Sequence, residues 1–198
     1  MIKKKMAVLP TDRPIMEFET PKAWESWLLK HGASSQGVYI KVAKKGAGVR
    51  SISCPEALEV ALCHGWIDAI RKSFDETWFL QKYTPRGPRS IWSEINKMSA
   101  QQLVKAKLMH PAGLDAIARA KANGQWDRAY ASAKTITVPP DLAAALKRNK
   151  KARAFFDTLT SSNRFSVLHR LHTAKKEETR AKRLALFMGM LERGETIY

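Results

Sequence analysis

The spacing of hydrophobic and polar positions predicts a small β-sheet in the first half of the chain. Residues 38–45 carry apolar side chains at every second position, which is typical of a half-buried strand. Residues 66–84 predict two further strands around a turn at Asp75-Glu76. Together these segments predict a three-stranded antiparallel sheet.

Helical spacing dominates the rest of the sequence. Trp24, Trp27 and Leu28 fall on one face of a helix predicted over 21–31. The segment Ser53-Cys-Pro-Glu56 is a capping box, in which each of the two polar side chains bonds to the other residue's amide, and it opens a helix that ends near Gly65. Further helices are predicted over about 91–108, 111–123, 140–148, 151–159, 162–174 and 177–193.

These elements predict an α+β fold in which the small sheet packs with helices and a basic helical C-terminal module follows. Residues 1–14 are predicted to form a flexible basic arm. Residues 15–134 form the α+β module, and residues 135–198 form the helical module. The boundary is placed by Pro139-Pro140, which interrupts the helical pattern.

The net positive charge of the chain limits the kinds of partner that it can attract. The 198 residues include 35 Lys+Arg and 18 Asp+Glu, a net charge of +17, which attracts anionic partners. Nucleic acid, acidic protein and anionic membrane surface all fit, and so does a Lys-rich surface with no specific ligand. Most of the excess lies in residues 147–183, which hold 12 basic and 3 acidic residues.

The first candidate site is a polar pocket after the corner Gly65-Trp-Ile-Asp68. One interpretation is a pocket that binds a small anionic substrate of an enzyme. The alternative is structural, with Asp68 pairing with Arg86 or Arg89 to pin the hairpin to the next helix. The candidate residues are Trp66, Asp68, Arg86, Arg89, Ser90, Trp92 and Asn96.

The second candidate site is a cationic cluster at the start of the last helix. Cations there oppose the helix dipole, so their presence suggests an anionic partner. The alternative is a solvated face with helical pairing, such as Glu178 with Lys182. The cluster consists of Lys175, Lys176, Arg180, Lys182 and Arg183.

Cysteine and histidine positions argue against disulfide and metal chemistry. Cys54 and Cys63 lie in one predicted helix, about 13 Å apart, which is too far for a disulfide. Cys54 is either a reactive thiol at a helix start or a small structural residue. The five histidines lack metal-ligand spacing, so we expect no metal, and no cofactor motif is present.

The N-terminus, the lack of a long apolar run and the cysteines together indicate where the protein is located. The apolar run at the N-terminus stops at Pro10, which is too short for an export signal, and the sequence contains no transmembrane run. Reduced cysteines fit the same compartment. We therefore expect a cytoplasmic protein, and the oligomeric state stays open.

Several stretches resemble the YdeI/OmpD-associated, or bacteriocin-protection, family. The resemblance rests on Ala57-Leu-Glu-Val-Ala-Leu-Cys-His-Gly-Trp-Ile-Asp68, Tyr83-Thr-Pro-Arg86, Arg89-Ser-Ile-Trp-Ser-Glu-Ile-Asn96, Val138-Pro-Pro-Asp-Leu142 and Glu178-Thr-Arg180. It implies the fold and a link to an outer-membrane porin and to tolerance of cationic antimicrobial peptides. A protein with a charge of +17 would itself repel such peptides.

The leading hypothesis is a non-enzymatic binding protein for an anionic partner. Nucleic acid ranks ahead of anionic lipid or polyphosphate. The sequence lacks a recognisable module for reading bases, so binding would be mostly to phosphate. The alternative is an enzyme that acts on a small anionic substrate in the pocket around Asp68, Arg86 and Trp92.

Overall fold

The computed structural model describes residues 10–198, so positions 1–9 of the predicted basic arm lie outside the described residues. Four strands and eight helices occur in this part of the chain. In chain order they are β1 Ile15–Glu17, α1 Pro21–His31, β2 Val38–Ala43, α2 Cys54–Cys63, β3 Trp66–Ser73, β4 Trp78–Pro85, α3 Glu94–Lys105, α4 Pro111–Ala122, α5 Pro140–Arg148, α6 Lys150–Thr158, α7 Ser161–His172 and α8 Glu177–Arg193. The predicted α+β class is confirmed.

The sheet differs from the predicted one in a single strand. Its order is β1-β2-β4-β3, and β4 pairs antiparallel with both β2 and β3. The prediction of three antiparallel strands is wrong because β1 adds a fourth strand, parallel to β2, which makes the sheet mixed. Three residues are too few to show an alternating pattern, so β1 is specified by its pairing, including the bond from Tyr39 N to Pro14 O at 2.9 Å.

The chain divides into two compact units. The first contains the described residues up to Ser90 together with Asn96–Asp127, and the second contains Ile91–Ile95 and Arg128–Tyr198. The division after Asp127 comes seven positions before the boundary predicted after residue 134. The assignment of residues 15–134 and 135–198 as two modules stays a prediction.

The core of the first unit lies between the sheet and helices α1 and α2. Trp24, Trp66 and Tyr83 are fully buried there, and the indole of Trp24 donates to Ala57 O at 3.1 Å. The capping box at Ser53 is present as predicted, with both of its hydrogen bonds formed. This packing fixes the start of α2 and the adjoining strand β3, which carry the first candidate site.

Two glycines allow α2 and α4 to approach closely. A Cβ at Gly113 would lie 2.3 Å from the backbone oxygen of Cys63. Gly65 has a φ of +72°, and a Cβ there would lie 2.6 Å from Ala112 O. Because real Cβ atoms do not come this close to backbone, both positions require glycine.

The second unit packs helices α5 to α8 around its own apolar core. The core includes Leu142, Phe156, Leu168, Leu171 and Leu191, all at most 2% exposed. The ends of all four helices lie within one or two residues of the predicted bounds. This core holds the basic residues of the C-terminal half on a fixed helical framework.

Candidate functional site

Asp68 lies on the edge strand β3 and is solvent exposed. It forms no ion pair within 4.0 Å with any residue of 10–198, so the expected pair with Arg86 or Arg89 is not formed. Its carboxyl lies close enough to surrounding protein that desolvation raises its pKa, and the charges of Arg86 and Arg71 offset only part of this effect. The charges of both guanidinium groups therefore lower the pKa of Asp68, although Asp68 forms an ion pair with neither of them.

The other predicted pocket residues occupy different environments. Trp66 is buried and packs edge-on against the Trp24 ring at 6.1 Å, which makes it part of the core. Arg86 is 5% exposed, and its backbone N–H donates to Gly65 O at 2.9 Å. The remaining candidates are Arg89, which is exposed, Ser90 and Asn96, which are half-buried, and Trp92, which is buried and belongs to the second unit.

A side chain that sequence reasoning did not select, Arg71, organises this part of the first unit. Its Nη2 donates to the Cys54 sulfur at 3.3 Å, and its Nε donates to Gln81 Oε1 at 3.1 Å. The guanidinium also lies 4.5 Å from the centre of the Phe79 ring, a cation–π contact. Three interactions thus hold Arg71 in one place.

A β-bulge explains why Arg71 points there. Asp68 pairs with Tyr83 and Arg71 pairs with Gln81, with the register shifting between them. In a regular strand the partner of Gln81 would be Ile70, and Arg71 would point to the opposite face. The bulge therefore brings Asp68 and Arg71 to the same side of the sheet as Cys54.

The two thiols are free and protonated at neutral pH. Burial raises the pKa of Cys54, although the neighbouring Arg71 charge opposes this, and burial together with Glu59 and Glu25 raises the pKa of Cys63 to about 11. A thiol is nucleophilic only as its thiolate. The structure therefore favours the structural interpretation of Cys54 over the reactive one.

Next to Cys54 lies an open depression of about 380 Å³. Two of its lining residues are cationic and none is acidic, so the electrostatic potential in it is positive. Its polar and aromatic lining consists of Lys45, Ser51, Ser53, Cys54, Arg71 and Phe79.

The helical part of the second unit carries a large excess of positive charge. Residues 135–198 hold 13 Lys+Arg and 6 Asp+Glu, a net charge of +7. Four of those six acidic side chains are already used in ion pairs. The pairs are Asp141–Arg180, Asp157–Arg153, Glu178–Lys182 and Glu195–Arg193.

The structure separates the predicted anion-binding cluster into two groups. Arg180 donates to both carboxylate oxygens of Asp141 at 2.6 and 2.8 Å and also to Leu171 O at 2.7 Å. Lys182 pairs with Glu178 at 2.6 Å. In addition, Arg183 donates to the backbone oxygen of Arg170 at 2.6 Å, and only Lys175 and Lys176 point to solvent without such contacts among the described residues.

Four other cations lie together where α5 meets α6. They are Lys147, Arg148, Lys150 and Lys151, here called the corner patch, and all four are exposed. None forms an ion pair within 4.0 Å with a residue of the described chain. The sequence signal of the patch is its run of four cations in five positions, which lies inside the wider basic region 147–183.

Residues 10–198 contain neither a metal-binding cluster nor a membrane-spanning helix. In this range no three His, Cys, Asp or Glu side chains are grouped so that they could hold a metal ion. None of its helices combines the length and the apolar composition that a membrane span requires.

Two family models cover most of the chain. Residues 16–116, more than half of the protein, match the family described as a domain of unknown function, DUF8412, and the chain belongs to that family. Residues 135–194 match the family described as "Bacteriocin-protection, YdeI or OmpD-Associated", which confirms the predicted family for this segment. Comparisons with curated proteins and with solved structures gave no match.

Proposed function

We propose that this protein is a non-enzymatic binding protein for an anionic partner, with nucleic acid as the first candidate. The observation that carries the proposal is the charge of the second unit after internal pairing. Four carboxylates neutralise four cations there, yet the corner patch and the pair Lys175-Lys176 keep their charges exposed. Exposed, unpaired cations on a rigid framework attract polyanions by a sequence-independent mechanism.

The charge also bears on the role that the family description names. A chain at +17 repels cationic peptides, so sequestering them is unfavourable. A protective role would therefore act through an anionic partner rather than through the peptide. Nucleic acid ranks ahead of anionic lipid or polyphosphate because its closely spaced phosphates release counterions when bound.

The test is a titration of a fluorescent DNA duplex by anisotropy at several salt concentrations. The protein is first washed at high salt, and its ultraviolet absorbance ratio is followed to show that copurified nucleic acid is removed. We expect binding at about 50 mM salt and a logarithm of affinity that falls linearly with the logarithm of salt concentration. No binding at low salt, or stronger binding to polyphosphate or anionic vesicles than to duplex, would contradict the proposal.

A second candidate function is an enzyme that acts on a small anionic substrate. The observation in its favour is the group formed by Cys54, Asp68, Arg71 and Tyr83, in which burial raises the pKa of the thiol, the carboxyl and the phenol. Such groups occur at active sites as well as in structural networks. Small phosphates and carboxylates would be screened by thermal shift, and an Arg71→Gln variant should lose any stabilisation found. A ligand that stabilises both forms equally would exclude this site.

A further inference from the structure

We infer that the corner patch, Lys147, Arg148, Lys150 and Lys151, contacts the phosphate backbone of a nucleic-acid duplex. This inference rests on the proposed function and assigns it a surface. That surface differs from the cluster at the start of α8 that the sequence predicts.

The fold presents these four cations on one rigid corner. Asn149 is the only residue between α5 and α6: its N–H donates to Ala145 O at 3.1 Å, and its Oδ1 accepts from Ala152 N at 3.0 Å. The buried side chains of Leu146 and Phe156 anchor the two helices to the core. Two cations from the last turn of α5 and two from the first turn of α6 are therefore held close together.

The charges of the patch are not compensated locally. The first turn of α6 contains no acidic residue, and the next carboxylate along the chain, Asp157, is paired with Arg153 at 2.6 Å. Lys150 and Lys151 lie at the positive end of the α6 dipole, where cations are unfavourable. A bound phosphate would relieve this repulsion.

The surroundings of the patch favour a duplex over other anionic partners. Among the described residues, no large hydrophobic side chain between Leu114 and Leu186 is exposed, and the exposed ones of the second unit, Ile91, Ile95, Leu186 and Tyr198, all lie far from the patch in sequence. Stable attachment to an anionic membrane or to a protein usually adds apolar contacts beside the charges. Single strands are held by stacking on several aromatic rings, and of the Phe, Tyr and Trp side chains within residues 135–198 only Tyr198 is exposed, its hydroxyl accepting from Arg170 at 2.8 Å. The remaining mode of binding is contact between the cations and phosphate groups. A duplex presents phosphate groups at the highest density.

The experiment compares two variants with the same net charge. In the patch variant, Lys147, Arg148, Lys150 and Lys151 are replaced by Gln. In the control, four exposed cations on helices of the first unit are replaced by Gln, namely Lys22, Lys30, Lys105 and Arg119. Both are titrated with the same duplex across a salt series, and circular dichroism with thermal melting verifies their folds.

We expect the patch variant to lose at least about tenfold in affinity at about 0.1 M salt, because each lost phosphate contact lowers the salt slope by about 0.9. The control should stay within about twofold of the wild type. Equal losses in both variants, or an unchanged slope in the patch variant, would overturn this inference while the proposed function stands. Absence of duplex binding by the wild type would overturn both.

Discussion

Replacement of Arg180 by glutamine should destabilise the second unit by about 2 kcal/mol. Arg180 is a predicted anion-binding residue, but its guanidinium bonds to both oxygens of Asp141 and to the backbone oxygen of Leu171. Its removal leaves a partly buried carboxylate without its counter-charge. We therefore expect a loss of folding stability rather than a loss of ligand binding.

The magnitude follows from the exposure of the pair. The side chains of Arg180 and Asp141 are 29% and 34% exposed. Breaking a fully buried pair costs about 3–5 kcal/mol, whereas an exposed pair contributes at most about 1. A bidentate, half-buried pair lies between these limits, and for a chain of this length about 2 kcal/mol lowers the melting temperature by about 4–8 °C.

Calorimetric melting and urea denaturation of Arg180→Gln, Asp141→Asn and the double variant would measure this loss. We expect a coupling free energy of about 1 kcal/mol or more. The Arg180 bond lowers the pKa of Asp141, so the pair stabilises the folded state above the unfolded pKa of about 3.9 and loses its effect as pH falls through the folded value. The cost of Arg180→Gln should therefore disappear in acid.

The reasoning would be refuted if Arg180→Gln changed stability by less than about 0.5 kcal/mol and showed no coupling to Asp141→Asn. It would also be refuted if this variant kept wild-type stability but flattened the salt dependence of duplex binding. That result would restore Arg180 to the contact surface. Lys175→Gln with Lys176→Gln is the matched control, because both side chains are exposed and lack such bonds among residues 10–198.

Three further perturbations test the first unit. Gly113→Ala should destabilise it by about 2–3 kcal/mol in urea, whereas Gly87→Ala, whose Cβ would meet nothing within 4 Å, should change stability little. Cys54 should react slowly with a thiol reagent at neutral pH, and Arg71→Gln should slow it further because the Arg71 charge lowers the thiol pKa. Burial lowers the pKa of His64, so protonation favours the unfolded chain and stability should fall below about pH 6.5, less steeply in His64→Asn.

Local signals in the sequence were sufficient to predict the positions of the helices. Proline occurs in the first turn of α1, α2, α4 and α5, and the capping box at Ser53 fixes the start of α2. These features act within a few residues, so they can be read from the chain directly. The agreement of the helix bounds follows from this locality, and the largest difference is at α3, which is three residues shorter at each end than the predicted helix over 91–108.

Features that depend on distant partners could not be predicted in the same way. Strand β1 exists because β2 lies beside it, and its three residues show no pattern of their own. The bulge in β3 moves Arg71 to the face of Cys54, whereas regular alternation would place Ile70 there. The pair of Asp141 and Arg180 joins residues that are 39 positions apart. The sequence around Arg180 does not reveal this partner, so it predicts that Arg180 is a free cation.

The Asp141–Arg180 pair also shows a structural role for the residues that carry the family resemblance. Asp141 lies in Val138-Pro-Pro-Asp-Leu142 and Arg180 in Glu178-Thr-Arg180, two of the segments on which the resemblance rests. Since these segments meet in an ion pair, they contribute to the stability of the second unit's fold. The corner patch lies between them in sequence and contributes nothing to that pair. Duplex binding should therefore depend on the cations of the patch, and a related chain with this ion pair but a neutral corner should fold without binding.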